Sequence, residues 1–331
     1  MMKAAVAFTS LMAPHIERYV ALKQSLGREY HGVGRVLAHI DQFVTRHGGD
    51  LTSDTFAGWC LTLQYLASGT RRNRMRVVRN FCLYRRRSEP ASFLPDARLF
   101  PPRHQVVRPH LFTSVEVLRL LVAIRALPSA PTSPFRRENL RLAIVLLYTT
   151  GLRLGELVRL TLGDYDPREH TLLIRESKFH KSRLVPLSID GIREIDQYLA
   201  ARRTRQIAIL PESPLLWHYT RCGTAYTGTG LSNAIRRLLR AAPIRTDTGR
   251  LPRVHDFRHT FALQALLRWY RNGVDVQAKL PLLATYMGHV SIASTEYYLK
   301  FVEPLGVSAS ERFARHCAGL VTTQVSAGEG R

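Results

Sequence analysis

The sequence predicts a mainly α-helical protein with a helical N-terminal domain, a proline-rich linker and an α+β second domain that contains one small β-hairpin. Apolar residues recur at helical spacing through the first 90 residues, and this periodicity stops at a cluster of prolines. It resumes at residue 113, where a new domain begins. Two short β-rich runs, at 171–175 and 183–187, then predict a hairpin among the later helices.

We divide the 331 residues into an N-terminal helical domain at 1–90, a linker at 91–110, a second domain at 111–318 and a flexible tail at 319–331. A chain of this length is long enough for two domains with buried cores. The linker is expected to be extended because it contains Pro95, Pro101 and Pro102. Thr113 then predicts a helix N-cap, and Glu116 three residues later completes a capping box.

The charge balance points to a polyanionic partner. Lys plus Arg number 48 against 25 Asp plus Glu, which gives a formal net charge of +23. Such an excess repels itself unless a polyanion shares the surface, so nucleic acid is expected ahead of a membrane surface or a ribosomal-type role. The four cysteines form no C-x-x-C pair, which is typical of reduced thiols in the cytoplasm. No segment is long and apolar enough to be a membrane helix.

The first domain is expected to contain four amphipathic helices, near 16–26, 36–44, 56–66 and 71–87. In the fourth, Met75 and Val78 follow helical spacing, so the many arginines largely occupy the opposite face. We interpret that face as a contact surface for the DNA backbone, the alternative being a solvated charged face. The candidate DNA-binding residues are Arg71, Arg72, Arg74, Arg76, Arg79 and Arg85.

In the second domain a helix is expected at 137–150, with Gly151 as its stop, and others at 189–203, 231–241, 256–272, 280–286 and 292–301. Basic or phenolic side chains stand at the ends of these elements, in the hairpin, and on the last helix. They are Arg153, Lys178, His255, Arg258, His289 and Tyr298.

The order and spacing of these residues closely resemble the tyrosine recombinases, also called the phage integrase family. That family has an Arg after a helix turn, a Lys in a β-hairpin, a His-x-x-Arg box, a Gly-His pair and a Tyr nine residues further on. In the hairpin, Lys181 and then Arg183 before a Val-Pro-Leu run match the family and select Lys178 as the catalytic lysine. The resemblance covers about residues 113–313. For the N-terminal domain it implies a SAM-like core-binding domain, through a generic match of length and charge.

The resemblance implies a site-specific recombinase or integrase that cuts and rejoins DNA through a 3′-phosphotyrosine, without ATP, metal or any other cofactor. The implied partner is double-stranded DNA with paired sites, held by a homotetramer that exchanges strands through a Holliday junction. Other recombinases or accessory DNA-bending proteins are further expected partners. A mobile genetic element, through integration, excision or transposition, is the favoured setting. A short helix with Phe313 and Leu320 on one side could dock on a neighbouring protomer or fold back.

Elementary chemistry gives these residues matching roles. Arg153 and Arg258 can clamp the non-bridging phosphate oxygens and stabilise the charge that builds during attack. Tyr298 is the expected nucleophile, since nearby cations favour its phenolate and His255 can accept its proton. Lys178 is the natural proton donor to the leaving 5′-oxygen.

The remaining site residues are expected to support this chemistry. His289 would hydrogen-bond the phosphate and orient it. Glu156, one turn after Arg153, is expected to buttress that arginine rather than to react. His259 is expected to be a supporting or structural residue.

The sequence also admits alternative interpretations. Tyr297 stands beside Tyr298, but the nine-residue offset from the Gly-His pair favours Tyr298. His255 and His259 are spaced as in zinc hydrolases, but Asp256 stands where that motif has Glu and no third ligand is evident nearby, so no metal is expected. A type IB topoisomerase, working as a monomer, would share the chemistry. A DNA-binding regulator on a recombinase scaffold would lack it.

Overall fold

The computed structural model describes residues 7–27, 30–102, 108–175, 182–218, 223–289 and residue 295. The chain forms two compact units, Met1–Val107 and Arg108–Arg331. The described residues are mainly helical with one small sheet, which confirms the predicted fold class. The elements are α1 (Ala13–Ser25), α2 (His31–His47), α3 (Ser53–Leu61), α4 (Ser68–Arg85), α5 (Ser114–Arg125), α6 (Arg136–Thr150), α7 (Leu154–Leu157), β1 (Tyr165–Asp166), β2 (Thr171–Ile174), β3 (Arg183–Pro186), α8 (Ile189–Thr204), α9 (Gly228–Ala241), α10 (Asp256–Arg271) and α11 (Val276–Met287).

In the first unit, α1 to α4 close around one apolar core. Its almost fully buried side chains include Ile16 of α1, Leu37 of α2, Trp59 of α3 and Phe81 of α4. Each helix presents an apolar stripe, and tertiary packing of such stripes supplies most of the stability of helices this short. The segment predicted as a linker begins inside this unit, because Phe100 packs on the same core.

In the second unit, α6 is the central helix. Seven of its side chains from Leu140 to Leu147 are buried, because α5, α8 and α10 pack around it. A helix that is apolar on most of its sides is typical of such a buried position. Phe112 and Phe257 stack with ring centroids 4.0 Å apart, which joins the start of this unit to α10. The predicted capping box of Thr113 and Glu116 is present at the start of α5.

The strands form an antiparallel sheet in the order β1–β2–β3. β2 pairs with β3 so that Ile174 lies opposite Arg183, which confirms the predicted hairpin. The third strand, β1, is not predicted from the sequence, because two residues are too few to show an alternating pattern. Residues 176–181, including Lys178, lie outside the described residues.

The last two described helices differ from the prediction mainly at their ends. α10 begins at Asp256 as predicted, whereas α11 begins at Val276, before its predicted start at 280. Asp275 explains the earlier start, because its side chain accepts hydrogen bonds from the backbone N–H groups of Gln277 and Ala278 in the first turn of the helix. α11 ends at Met287, and the next residue, Gly288, caps it with a φ of +65°. The predicted helix at 292–301, with Tyr298, and the tail lie outside the described residues apart from Thr295.

The described part of the chain bears on membrane spans, metal sites and the state of the thiols. No helix there is both long and apolar enough to cross a bilayer. Within the same ranges, no three His, Cys, Asp or Glu side chains gather as metal ligands would. Cys60 and Cys82 carry free thiols, and burial raises their pKa to about 11 and about 12, so both stay protonated at neutral pH.

Candidate active site

Three arginines from different elements converge on the C-terminal end of α11. Arg153 lies at the start of α7, Arg183 at the start of β3 and Arg258 in the first turn of α10. A helix C-terminus carries partial negative charge on its free carbonyls, so it attracts guanidinium groups. The arginines donate to three successive backbone carbonyls: Arg183 Nε to Tyr286 (2.7 Å), Arg258 Nη2 to Met287, and Arg153 Nη2 to Gly288 (3.0 Å).

Glu156 binds two of these arginines from α7. Its carboxylate accepts from Arg153 Nη1 at 2.6 Å and from the Arg153 backbone N–H at 3.0 Å. It also accepts from Arg183 Nη2 at 2.9 Å. Burial alone would raise the pKa of this carboxyl, but the hydrogen bonds from Arg183 and Arg153 outweigh burial and lower it to about 2. Glu156 is therefore ionised at neutral pH and in direct contact with Arg153.

Arg258 is enclosed by backbone, whereas Arg153 is not. Arg258 is 1% exposed, and its Nη1 donates to the carbonyl of Gly151 at 2.8 Å. Gly151 ends α6 with a φ of +62°, and a Cβ there would lie 2.6 Å from a ring carbon of Phe261. Glycine is required at this turn, and the turn directs its carbonyl at Arg258. The side chain of Arg153 is 26% exposed and thus reachable by a ligand.

His289 lies directly after the arginine-bound end of α11. Its Nδ1 is 2.7 Å from Oγ1 of Thr295, which is fully buried. Burial, and then the positive charges of Arg258, Arg153 and Arg183, lower the pKa of His289 to about 4. The ring is neutral at pH 7. When Nδ1 accepts from the Thr295 hydroxyl, Nε2 carries the proton and can donate it in a hydrogen bond.

His255 and His259 lie one turn apart at the start of α10, with ring centroids 4.9 Å apart and planes at 90°. His255 is exposed and His259 is buried. Partial burial and the charges of Arg258 and Arg253 lower the pKa of His255. Burial, and then the neighbouring His255, lower the pKa of His259 to about 4. The exposed and mainly neutral His255 is therefore able to accept a proton at pH 7.

Four of the six residues in the family pattern are described, and the structure brings them together. The charges of Arg153 and Arg258 act on both His255 and His289, which places the four within one electrostatic environment. The other two, Lys178 and Tyr298, lie outside the described residues, so their places in the site remain predictions.

Sequence reasoning missed two residues of this site, Arg183 and Thr295. The sequence indicates Arg183 only as part of the hairpin pattern, although its position at the start of a strand after Lys178 is a usable signal. Thr295 had no comparable signal, because its contact with His289 depends on the path of the chain after α11.

The arginines of α4 that are not buried form a cationic surface on the first unit, here called the α4 surface: Arg71, Arg72, Arg74, Arg76 and Arg79. α4 contains no acidic residue that would neutralise it. The surface continues towards α2, since burial and then the charges of Arg74 and Arg46 lower the pKa of His39. Arg72 is partly committed to the fold, because its Nη1 donates to the carbonyl of Pro101 at 2.7 Å.

Arg85 does not belong to this surface, which corrects the sequence interpretation. It is 9% exposed and forms two hydrogen bonds to Asp50, at 2.6 and 2.7 Å, and one to Glu89, at 2.6 Å. The physical reason is helical phase: Met75, Val78, Cys82 and Arg85 follow one buried stripe of α4. Its guanidinium therefore binds carboxylates of its own unit rather than facing outward.

Comparison with known proteins identifies the family. The description "Phage integrase family" matches residues 112–302, more than half of the chain. The chain belongs to the phage integrase family. As a member of this family of tyrosine recombinases, it is an enzyme that cleaves and rejoins DNA, which confirms the prediction from the sequence.

One relative matches most of the chain, and two solved structures share its fold. The provisionally named integrase/recombinase y4rB of Sinorhizobium fredii (strain NBRC 101917 / NGR234) is 31% identical to this phage integrase family member over 303 residues, covering 91% of this chain and 96% of y4rB. XerH site-specific recombinase bound to palindromic difH substrate, a post-cleavage complex, gives a TM-score of 0.63 at 18% identity over 85% of this chain and 79% of XerH. The Tn1549 transposon integrase in complex with transposon right end DNA gives a TM-score of 0.62 at 17% identity, over 90% of this chain and 98% of the Tn1549 integrase chain. These two likenesses show the fold.

Proposed function

We propose that this tyrosine recombinase acts for a mobile genetic element and uses Tyr298 as the nucleophile that attacks the scissile phosphate. The observation that carries the proposal is the convergence of Arg153, Arg258 and His289 at the end of α11. Tyr298 follows His289 by nine residues in the sequence. The mobile-element setting is supported by the likeness to y4rB and to a transposon integrase.

Two guanidiniums supply the charge that the transition state requires. Negative charge builds on the phosphate oxygens as the phenol oxygen approaches phosphorus, and fixed donors stabilise it most in a site shielded from water. Arg153, 26% exposed, is accessible to one oxygen. Arg258 is 1% exposed, so its contact with phosphate requires its guanidinium to be uncovered when DNA binds.

Proton transfers complete the proposed step. His255 accepts the proton of Tyr298 while the phenol oxygen forms its bond to phosphorus. The bond to the 5′-oxygen breaks, and Lys178 gives that oxygen a proton. His289 donates from Nε2 to a phosphate oxygen. The products are a 3′-phosphotyrosine and a 5′-hydroxyl, and attack by a hydroxyl of a second strand reverses the step on a new partner.

The proposed partner is double-stranded DNA with paired recombination sites, held by a homotetramer in the bacterial cytoplasm, with accessory DNA-bending proteins where direction is needed. The net charge of +23 and the α4 surface supply the cations for such a complex. XerH and the Tn1549 integrase have been solved bound to DNA, which supports a DNA complex of this fold.

Replacing the nucleophile tests the proposal. Tyr298→Phe removes one oxygen and should abolish the covalent protein–DNA adduct while DNA affinity stays within about tenfold, because a single ordinary hydrogen bond contributes only about 1 kcal/mol of net free energy. The neighbouring Tyr297→Phe is the matched control and should form the adduct. The adduct is measured on a nicked suicide site by denaturing gel, with EDTA present because arginines rather than a metal are proposed to stabilise the charge.

A persistent adduct in Tyr298→Phe, or its loss in Tyr297→Phe alone, would refute the assignment of the nucleophile. Complete loss of cleavage in EDTA, restored by zinc or magnesium, would instead indicate a metal-dependent hydrolase.

A further inference from the structure

Arg183 joins three elements of the second unit. Its side chain is 9% exposed although it carries a charge at the start of β3. Nη1 and Nη2 donate to the two carboxylate oxygens of Glu156, at 3.2 and 2.9 Å, and Nε donates to the carbonyl of Tyr286 at 2.7 Å. A planar guanidinium makes these three bonds at once, whereas the ammonium of a lysine cannot reproduce that geometry.

We propose that Arg183 is a positioning residue for strand cleavage, which holds Arg153 and His289 in register by bridging Glu156 and the end of α11. The proposal rests on the proposed function, because it assumes that Arg153 and His289 contact the scissile phosphate. Arg183 acts through these residues and not on the DNA, since nine tenths of its side chain are covered by protein.

The first link runs through Glu156 to Arg153. Oε1 of Glu156 accepts from Arg153 Nη1 at 2.6 Å and from Arg183 Nη1 at 3.2 Å, so one buried carboxylate sets the separation of the two guanidiniums. Without Arg183, this carboxylate loses a charged partner in a site that water reaches poorly. It must then rotate towards Arg153 or admit water, and either response moves the Arg153 guanidinium.

The second link runs through Gly288 to His289. A Cβ built on Gly288 would lie 2.8 Å from Nη1 and 3.1 Å from Cζ of Arg183, so the guanidinium packs directly on the backbone before His289. The carbonyl of Gly288 is also the acceptor for Arg153 Nη2, at 3.0 Å. Arg183 therefore fixes the short segment from which both Arg153 and His289 take their positions.

The third link concerns the hairpin. Arg183 lies opposite Ile174 in the β2–β3 register, and residues 176–181 connect the two strands along the chain. That connection contains Lys178. Through Glu156 and Tyr286, Arg183 anchors the strand that follows the proposed proton donor to the arginine cluster.

The test compares Arg183→Ala and Arg183→Lys with Arg141→Ala in the full chain. Arg141 is a matched control, because its ion pair, at 2.8 Å, and its hydrogen bond are both made with the buried Glu194 of the same unit. Three quantities are measured: the dissociation constant for DNA, the rate constant of adduct formation on a nicked suicide site, and the pKa of His289 by NMR on DNA-free protein.

We expect Arg183→Ala to lower the rate of adduct formation about 100-fold, as for other small displacements of catalytic groups. DNA affinity should stay near that of the wild type, because Arg183 makes no proposed phosphate contact. The pKa of His289 should rise, since one of the positive charges that lower it is removed. The variant retains the other groups that act on His289, which are Arg153, Arg258 and His255, although the Arg153 guanidinium is expected to shift.

The control and the conservative variant separate positioning from folding. Arg141→Ala should change neither the rate nor the pKa of His289. Arg183→Lys keeps the charge but not the three-way bridge, so its rate should still be about tenfold below that of the wild type. Should Arg183→Ala fail to fold, Arg183→Lys decides the question, and a wild-type rate in it overturns the proposal.

Other outcomes would also overturn it. Equal rate losses in Arg183→Ala and Arg141→Ala would show general destabilisation, and a loss confined to DNA affinity would make Arg183 a DNA contact. If the wild type forms no adduct, the proposed function fails instead. The NMR measurement still tests the bridge in that case, because an unchanged pKa of His289 in Arg183→Ala refutes it without reference to activity.

Discussion

Among single residues, Glu156 has the largest part in holding the arginines of the site, because it is a buried carboxylate that stays ionised. The hydrogen bonds from Arg153 and Arg183 lower its pKa to about 2 against the effect of burial. Removing one partner from such a buried network typically costs about 3–5 kcal/mol, whereas the whole network adds little net stability compared with a well-packed apolar core. Glu156 therefore contributes to the geometry of the arginines more than to the stability of the fold.

Burial around two histidines makes the stability of the second unit sensitive to acid. Histidine ordinarily titrates near 6.5, whereas burial is the main cause that lowers the pKa of His259 and of His289 to about 4. Between these values the unfolded chain binds more protons than the folded one. The contribution of these two neutral histidines to the free energy of unfolding is thus complete above pH 6.5. It decreases as the pH drops towards 4.

Replacing His259 removes one of these titrating groups. We expect the free energy of unfolding of His259→Gln to fall less steeply between pH 6.5 and 5, by up to about 1.4 kcal/mol per pH unit. Denaturant unfolding at a series of pH values measures the slopes. His47→Gln is the control, because His47 is exposed and lies in the first unit, away from the two histidines that this prediction concerns. Identical slopes for the wild type and both variants would contradict the prediction.

Among the elements, α4 combines a core stripe with a cationic surface, and salt dependence can distinguish DNA contact from mere solvation. We expect Arg74→Ala, Arg76→Ala and Arg79→Ala together to weaken DNA binding. The slope of log affinity against log salt should fall by about 0.9 for each lost phosphate contact, because each contact releases condensed counterions. Affinity measured over a range of salt concentrations gives this slope.

The choice of arginines follows from the structure. Arg72 is left unchanged, since its bond to the Pro101 carbonyl supports the fold. A double variant of Arg18 and Arg98 is the control, because both lie in the first unit and bind groups of their own segment. An unchanged salt slope in the triple variant would mean that the α4 surface faces solvent.

Local patterns predicted most of these elements, and the exceptions share a physical cause. The capping box at Thr113 and the stop at Gly151 are decided by neighbouring residues, so the sequence alone reveals them. β1 and α7 are too short to show a period, and they form because the surrounding chain holds them. Arg85 differs from these cases, because its helical phase with Met75, Val78 and Cys82 already indicates the buried side of α4, and only its pairing with Asp50 is a tertiary contact.

The candidate site divides in the same way. Spacing along the chain identified Arg153, His255, Arg258 and His289, since these residue types occur at the ends of recognisable elements. Spacing could not show that all three arginines of the cluster, Arg183 included, bind successive carbonyls at the end of α11. That arrangement depends on how β3, α7, α10 and α11 pack, and such packing cannot be predicted from the sequence of any one segment.

For the molecule as a whole, charge and chemistry both bear on the proposed assembly of several protomers on DNA. The net charge of +23 disfavours close approach of protomers unless DNA neutralises it. The bonds broken and made in the proposed reaction are alike, so the chemistry itself gives no direction. Pairing of two sites within one assembly would supply the direction that a single active site cannot.

A plasmid with two matched sites therefore distinguishes a recombinase from a topoisomerase of the type IB kind. We expect Holliday junctions and recombined products, formed by a complex that native mass spectrometry weighs as four protomers on two sites. One control is a plasmid with a single site, and the other is the Tyr298→Phe variant acting on the plasmid with two sites. Neither control should give recombination within one plasmid molecule. Relaxation of a site-free supercoiled plasmid by single protomers, without junctions, would instead show nicking and closing by a monomer, because such an enzyme needs no second site to receive the strand.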